Sequence, residues 1–236
     1  MNVTIILVGT THPGNIGATA RAMKNMGLNE LRLVNPKSFP DPEASARASG
    51  AEEILRNATI FDNLSDAIKD FTYVVGASSR SRTIDWPSFD VRACAIRLLQ
   101  EGCNGKAAAV FGPEHSGLTN SDLDHCHALL TIPSDPSFSS LNIAMAVQIL
   151  TYELRMSFYD GLHDEHKSGT PLASVEELEH FYSHLEDVLT RSNFLDADNP
   201  RYLMRRLRRF FARATPDKNE VNIFRGILTS LDQKKV

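Results

Sequence analysis

The feature that most constrains this chain is a series of short apolar runs, each followed by a stretch with helical spacing. Six such runs occur in the first 133 residues, at positions 3–9, 31–35, 58–62, 73–77, 107–112 and 129–133. The runs VTIILV and AAAVF are apolar on both faces, which is typical of central strands in a sheet covered on both sides. Alternating strands and helices of this kind predict an α/β domain with a largely parallel sheet.

Two helices of this first region carry recognisable end signals. In NIGATARAMKNMG, Asn15 is suited to cap the helix start and Gly27 to end it. Residues 141–158 predict a long, mostly buried helix, for which Ser139 and Ser140 are the expected caps.

The pattern changes near residue 160. Residues 160–173 are polar and without periodicity, and they include two glycines and a proline, as is typical of a linker. Only helical patterns follow, beginning with a capping-box signature of Ser174 and Glu177 and continuing over residues 201–213 and 220–231. We therefore predict a first domain over residues 1–162 and a helical C-terminal extension over residues 163–236.

Composition excludes several classes of protein. The 236 residues are 42% hydrophobic and 23% charged, as in ordinary globular proteins, which argues against disorder and disulfide scaffolds. No apolar run approaches the ~20 residues of a membrane span. The three cysteines lack CxxC spacing, so we expect free core thiols and a cytoplasmic location. The formal net charge of −4 excludes a uniformly basic protein but leaves room for a local basic surface.

A glycine-rich loop joins the first strand to its helix. Gly9, Gly14 and Gly17 lie in this loop, but their spacing gives no GxGxxG fingerprint, and the lysine of a phosphate-binding Walker loop is absent. Arg21 follows just over one helical turn later and could grip a phosphate with two hydrogen bonds. Taken alone, the loop could equally provide tight turns only, and Arg21 could be a solvated helix residue.

Three segments together carry a stronger signal than any one of them. They are NIGATARA at 15–22, FGPEHSGL at 111–118, and IPS followed by SSLNIAMA within 132–146. In order and spacing this set resembles the three motifs of the SPOUT superfamily, specifically its TrmH-like RNA 2′-O-ribose methyltransferases. Further segments, including those around Arg80, Leu118, Arg208 and Asn222, look closest to the TrmJ type within that group.

The resemblance implies a fold and an activity. It implies a SPOUT-type α/β knot, with a deep trefoil knot and a mostly parallel six-stranded sheet, followed by the helical extension. It also implies a homodimer that uses S-adenosylmethionine to methylate the ribose 2′-hydroxyl of tRNA, at nucleotide 32 (C or U) of the anticodon loop. Pro113 and His115 stand where arginines are usual in the TrmJ type, so the resemblance implies no arginine contact with RNA at that point.

The resemblance further implies roles for particular residues. Arg21 would be the catalytic arginine, and a guanidinium, which keeps its proton to high pH, is better suited to orient the substrate than to act as a base. The other implied catalytic-site residues are Asn15, Glu114, Ser140 and Asn142. The implied cofactor-binding residues are Ala77, Ser78, Ser79, Gly112, Ile132, Ser139, Ser140 and Leu141.

A basic helix is the clearest candidate for RNA contact. Residues 201–213 contain six arginines and no acidic residue, together with an apolar stripe that could pack onto the domain. Phosphate contacts of this kind fix register without reading sequence. The expected RNA-binding residues are Arg80, Arg82, Arg205, Arg206, Arg208 and Arg209, although a charge run can also be merely a solvated face.

Other functions stay open at this stage. His180 and His184 could share one helix face, but no third ligand stands near them, so we expect no metal. Methylation of another tRNA or rRNA nucleotide and a non-catalytic RNA-binding module on the same fold are the main alternatives. A nucleotide-binding protein using the first glycine loop is a weaker one.

Overall fold

The computed structural model describes residues 1–78, 86–162, 171–196 and 201–233. Its strands are β1 Val3–Val8, β2 Leu31–Val34, β3 Thr59–Phe61, β4 Tyr73–Ala77, β5 Ser88–Asp90, β6 Ala107–Phe111 and β7 Ala128–Thr131. Its helices are α1 Pro13–Met26, α2 Pro42–Ala48, α3 Glu52–Arg56, α4 Leu64–Ile68, α5 Val91–Asn104, α6 Asn120–Leu123, α7 Ile143–Tyr159, α8 Val175–Arg191, α9 Leu203–Ala214 and α10 Lys218–Gln233.

The strands form one sheet in the order β3-β2-β1-β6-β4-β7-β5, and every pairing in it is parallel. The six predicted strands are present, and their ends differ from the predicted ones by at most two residues. The described residues add a seventh, β5, which the sequence reading missed because Ser88–Asp90 is three residues long and mostly polar. The central strands β1 and β6 are almost wholly buried, as their two-sided apolar pattern predicts.

Separate apolar clusters cover the two faces of the sheet. Helices α1, α5 and α7 pack on one face with residues such as Met23, Leu98 and Leu150. Phe71 and Trp86 belong to the cluster on the other face. Both faces are covered, as the sheet requires, and the strand ends are left to the connecting loops.

Helix α1 begins earlier than the sequence predicts. His12 occupies the N-cap position and Pro13 follows it, so Asn15 is not the cap. The predicted end is correct, because Gly27 adopts a left-handed φ of 79° there. The capping expectation was wrong because proline suits the first helical position, which leaves the Asn15 side chain available for another contact.

Close packing of α1 against α2 depends on Gly17. A Cβ atom at Gly17 would lie 2.0 Å from the carbonyl oxygen of Ala44, so only glycine fits at this crossing. Helix α2 is thereby held beside the helix that carries Arg21.

The C-terminal extension has its own small core and is docked on the first domain. Its cluster includes Phe181, Tyr182, Phe211 and Leu228. The capping box predicted for α8 is present. The backbone N–H of Val175 donates to the carbonyl of Phe71 over 2.8 Å, and its side chain joins the core beneath the sheet.

The three cysteines are free thiols. Cys94 and Cys126 are buried, as expected, whereas Cys103 is exposed near the end of α5, so its assignment to the core was wrong. Among the described residues, none of the helices is long and apolar enough to cross a membrane.

We expect Gly17→Ala to lower the free energy of unfolding by about 1–3 kcal/mol, since the new methyl group must push α2 away from α1. Urea denaturation measures the change. Gly226→Ala in α10 is the matched control, because a Cβ there meets nothing within 4 Å. This control should gain about 0.5–1 kcal/mol from helix propensity. Equal stabilisation by both substitutions would contradict the packing argument.

Candidate active site

A cavity of about 320 Å³ lies at the carboxyl ends of β4, β6 and β7. Ligands of parallel α/β sheets usually bind at this edge. Seven of the eight predicted cofactor-binding residues line the cavity: Ala77, Ser78, Gly112, Ile132, Ser139, Ser140 and Leu141. Ser79 lies outside the described residues.

Apolar side chains that the sequence reading missed complete the cavity. Phe111, Leu118, Leu130 and Ile143 all lie on its wall. Their apolar character marks them as core residues in the sequence, and only the fold shows that they also face a cavity. An apolar wall with a few polar groups is the usual composition of a small-molecule site.

The loop after β6 folds back tightly over this cavity. A Cβ at Gly112 would lie 2.2 Å from the backbone nitrogen of Leu118, so glycine is required there. Gly117 has a φ of 65°, and its N–H donates to the carbonyl of Pro113 over 2.8 Å. Residues 112–118 of this loop all line the cavity.

Glu114, in this loop, ties the end of β6 to the segment that follows β1. Its carboxylate accepts hydrogen bonds from the backbone N–H of Thr11 at 3.0 Å and of His12 at 3.3 Å. It also accepts from Nδ2 of Asn15 at 2.8 Å. Partial burial would raise the pKa of Glu114, but the bond from Asn15 and the backbone N–H groups together lower it to about 2.

Asn15 and Asn142 continue this chain of hydrogen bonds to the third motif. Nδ2 of Asn142 donates to Oδ1 of Asn15 over 2.9 Å. Oδ1 of Asn142 accepts from the backbone N–H of Ala144 at 2.9 Å, which makes Asn142 the N-cap of α7. Ser139 and Ser140 are therefore not the caps, contrary to expectation, and they line the cavity instead. The three motif segments thus meet at one point.

Arg21 lies in a groove on the other side of this contact. The groove, about 520 Å³ in volume, is lined by His12, Asn15, Arg21, Asn142 and Met145, among others. Arg21 is exposed and forms no ion pair within the described parts of the chain. Asn15, Asn142 and Arg21 line this groove and not the cavity, whereas Glu114, which bonds to Asn15, lines the cavity, so the groove and the cavity adjoin at this contact.

Arg47 of α2 lines the same groove and was missed by the sequence reading. Nothing in its local sequence distinguishes it from an ordinary solvated arginine. Its position depends on the packing of α2 against α1 at Gly14 and Gly17, where a Cβ at Gly14 would lie 3.5 Å from Cγ of Arg47. Two arginines and one glutamate, Glu43, line this groove, so its net charge is positive and favours an anionic ligand.

The arginines of α9 do not share one exposed face. Arg206 is exposed, and Arg209 is half-buried. Arg205 and Arg208 instead form ion pairs inside the chain, with Asp124 and Glu179 respectively. The other two predicted RNA-binding residues, Arg80 and Arg82, lie outside the described residues.

No group of three potential metal ligands occurs within residues 1–78, 86–162, 171–196 and 201–233. Nδ1 of His125 forms a hydrogen bond with Oε1 of Glu179 over 3.0 Å.

The sheet order, the strand-end cavity and the motif segments together define the class of this protein. Residues 2–152 match the SpoU rRNA Methylase family, and the chain belongs to that family. Residues 176–236 match a second family, described as the C-terminal domain of the tRNA methyltransferase TrmJ. The trefoil knot that the resemblance implies stays a prediction.

Comparison with individual proteins narrows the class. The tRNA (cytidine/uridine-2′-O-)-methyltransferase TrmJ of Yersinia enterocolitica is 47% identical, over 99% of this chain and 92% of the relative. The crystal structure of TrmJ from Z. mobilis ZM4 superposes with a TM-score of 0.83 at 33% identity, covering 97% of this chain and 98% of that one. A probable methylase family protein from Haemophilus influenzae reaches a TM-score of 0.66 at 39% identity, covering 99% and 97%.

The low pKa of Glu114 predicts a pH-dependent contribution to stability. A carboxylate with a pKa of about 2 in the fold and an ordinary value of 4.5 stabilises the fold above about pH 4.5 and loses this effect as pH falls towards 2. We expect Glu114→Gln to lower the free energy of unfolding at pH 7. The N–H groups of the new amide would face the three donors that now bond to the carboxylate.

Urea denaturation across this pH range tests the prediction. The difference between the wild type and Glu114→Gln should narrow as pH falls from 4.5 towards 2. Glu186→Gln, at an exposed position of α8, is the control and should show no such trend. A difference that stays constant with pH would rule out the ionised carboxylate as its cause.

Proposed function

We propose that this chain transfers a methyl group from S-adenosylmethionine to the ribose 2′-hydroxyl of a tRNA nucleotide, C or U at position 32. The observation that carries the proposal is the hydrogen-bonded contact of Glu114, Asn15 and Asn142, with a cavity on one side and the Arg21 groove on the other. A methyl donor and a ribose held on the two sides would meet at this contact. The names of the related proteins support the substrate class.

The cavity suits S-adenosylmethionine in size and chemistry. Its wall is apolar at Leu118 and Leu130 and polar at Ser78 and Ser140, and at Gly112 the backbone itself approaches. The residues that would hold the cofactor are Ala77, Ser78, Gly112, Ile132, Ser139, Ser140 and Leu141, together with Ser79. When bound, S-adenosylmethionine supplies an electrophilic methyl group.

Arg21 acts by orientation in this proposal. Its guanidinium binds a phosphate of the RNA with two hydrogen bonds and so turns the neighbouring 2′-hydroxyl towards the cavity. A guanidinium does not give up its proton in proteins, so Arg21 does not take the hydroxyl proton itself. As the hydroxyl oxygen forms its bond to the methyl carbon, the carbon–sulfur bond of the donor would break with its electron pair leaving on sulfur, and the hydroxyl proton would pass to water.

Asn15, Asn142 and Glu114 position the reacting groups. The two asparagine side chains are bonded to each other over 2.9 Å, and Glu114 holds Asn15 over 2.8 Å. Glu114 is therefore a positioning residue, and Ser140 shapes the wall of the cavity beside this contact. Hydrogen bonds from such supporting side chains keep a site near its productive geometry.

The tRNA is bound through phosphates at two places. Arg21 and Arg47 receive the RNA in the groove. The exposed arginines of α9 hold a more distant part of it, together with Arg80 and Arg82. Residues 1–162 are the methyltransferase domain, and residues 163–236 are the tRNA-binding extension. The cytoplasm, where tRNA is modified, is the proposed location.

A homodimer completes the site in this proposal. Three large side chains on α7, Met145, Tyr152 and Tyr159, are spaced by seven residues and are 63%, 48% and 65% exposed. This apolar stripe begins at the Arg21 groove, because Met145 lines that groove. A second copy seated on α7 would bury the stripe and extend the groove with its own residues.

Arg21→Ala should reduce methyl transfer by roughly 100-fold or more, because a misoriented hydroxyl no longer meets the methyl group. Undermodified tRNA and radiolabelled S-adenosylmethionine are the substrates, and the labelled nucleotide is mapped. Affinity for S-adenosylhomocysteine, measured by calorimetry, should be unchanged. Lys24→Ala, one turn further along α1, is the control, since Lys24 bonds to Glu53 and Gly50 and should leave the rate intact.

The outcomes separate the alternatives. Label on a base would exclude ribose methylation. Label on the ribose of another nucleotide would exclude nucleotide 32 as the target but leave ribose methylation in place. Binding of tRNA without affinity for S-adenosylhomocysteine would indicate a non-catalytic RNA-binding module.

Tyr152→Glu should convert the dimer to a monomer, because a carboxylate in the middle of an apolar interface is left unpaired. Sedimentation velocity measures the change in mass. Ile60→Glu is the matched control: Ile60 is 50% exposed but lies on the edge strand β3. A wild type that sediments as a monomer, or equal effects of both substitutions, would refute the proposed interface.

A further inference from the structure

The C-terminal extension meets the methyltransferase domain at a compact group of charged side chains. Asp124 and His125 belong to the turn between α6 and β7. Glu179 lies on α8, and Arg205 and Arg208 lie on α9. We call these five residues the junction cluster.

Arg205 pairs directly with the methyltransferase domain. Its Nε donates to both carboxylate oxygens of Asp124, each over 2.8 Å. The two side chains are only 23% and 18% exposed, so the pair is largely removed from water. An exposed ion pair contributes little, whereas a desolvated guanidinium–carboxylate contact has a narrow preferred geometry.

Through Glu179, Arg208 links α9 both to α8 and to the turn between α6 and β7. Its two terminal nitrogens donate to the two oxygens of Glu179 at 2.5 and 2.7 Å, and His125 bonds to the same carboxylate at 3.0 Å. The guanidinium also lies 4.4 Å from the ring centre of Tyr182. Burial would raise the pKa of Glu179, but the bonds from His125 and Arg208 lower it to about 2, so the carboxylate is ionised.

Helical spacing separates these arginines from the others on α9. One side of α9 carries Arg205, Arg208 and Ala212, at intervals of three and four residues. Arg208 and Ala212 line a small pocket at the junction cluster. Phe211 faces α8 and packs against Phe181. Arg206 and Arg213, seven residues apart, are exposed on a different face of the helix.

We propose that Arg205 and Arg208 are positioning residues, which hold α9 at a fixed angle on the methyltransferase domain so that its exposed arginines meet the tRNA phosphates. The inference rests on the proposed function, in that it takes tRNA as the ligand. Partly buried ion pairs are a weak source of net stability, because desolvation offsets their attraction. Their planar geometry, however, allows one orientation of the helix, and that orientation decides where Arg206 and Arg213 point.

Exchange of the charges between Asp124 and Arg205 tests this inference. Affinity for tRNA is measured by fluorescence anisotropy on the full chain at one fixed salt concentration. Arg205→Asp should weaken tRNA binding roughly tenfold. Asp124→Arg should also weaken it, although it adds positive charge to the surface. The double variant Asp124→Arg/Arg205→Asp should return to the affinity of the wild type, because the pair is restored in the opposite direction.

Simple electrostatic attraction predicts different results. If Arg205 contacts RNA directly, Asp124→Arg will bind tRNA as tightly as the wild type or more tightly, and the double variant will not recover. Either result would overturn the inference. Arg206→Asp is the matched control at the neighbouring exposed position, and it should weaken tRNA binding. Combining it with Asp124→Arg should not return the affinity for tRNA to that of the wild type.

The single tryptophan reports whether the junction is intact. Nε1 of Trp86 donates to the carbonyl of Cys126 over 2.8 Å, two residues from Asp124, and its side chain is buried. If Asp124→Arg unfolds this region, as shown by a red-shifted Trp86 emission, Asp124→Asn replaces it and must still weaken tRNA binding. Methyl transfer by the wild type tests the proposed function separately, because tRNA affinity is measured without catalysis.

Discussion

The hydrogen bonds of one carboxylate hold the active-site region together. Glu114 follows β6, yet it accepts from the backbone of Thr11 and His12 after β1 and from the side chain of Asn15. Asn15 in turn accepts from Asn142 at the start of α7. Three loops that are distant in sequence thus share one network, and the start of α1, with Arg21 two turns further on, is fixed relative to the cavity. Partly buried networks of this kind specify geometry only when every member is satisfied, as these are.

Charge acts in two ways in this chain. A net charge of −4 describes the whole molecule and says little about any one surface. On α9, identical side chains divide by helical position: Arg205 and Arg208 are paired and largely buried, whereas Arg206 is open to solvent. Neighbouring acidic residues therefore decide whether an arginine is part of the fold or part of a binding surface. Asp124 and Glu179, distant in sequence from α9, make this division.

Much of the fold could be predicted because its signals are local. Two-sided apolar runs indicate the buried strands β1 and β6, Gly27 ends α1, and the Ser174–Glu177 box starts α8. The strand β5 has no such signal, since it is short and polar and exists through its pairing with β7. The caps of α1 and α7 were mispredicted because several polar residues could begin each helix. Pro13 decides the start of α1 locally, whereas Asn142, which bonds to the distant Asn15, caps α7.

By itself the sequence determined the α/β class, the helical extension and the motif segments, because periodicity, glycine spacing and motif order are properties of the linear chain. The resemblance of those segments to a known family pointed to part of the cavity wall. Only the tertiary structure decided which side chains meet. It brought Asn15 to Glu114 and Asn142, placed Arg47 beside Arg21 in one groove, and paired Arg205 and Arg208 with carboxylates. Contacts across about 25 to 130 residues depend on how the helices dock on the sheet, and that docking is set by packing over the whole core.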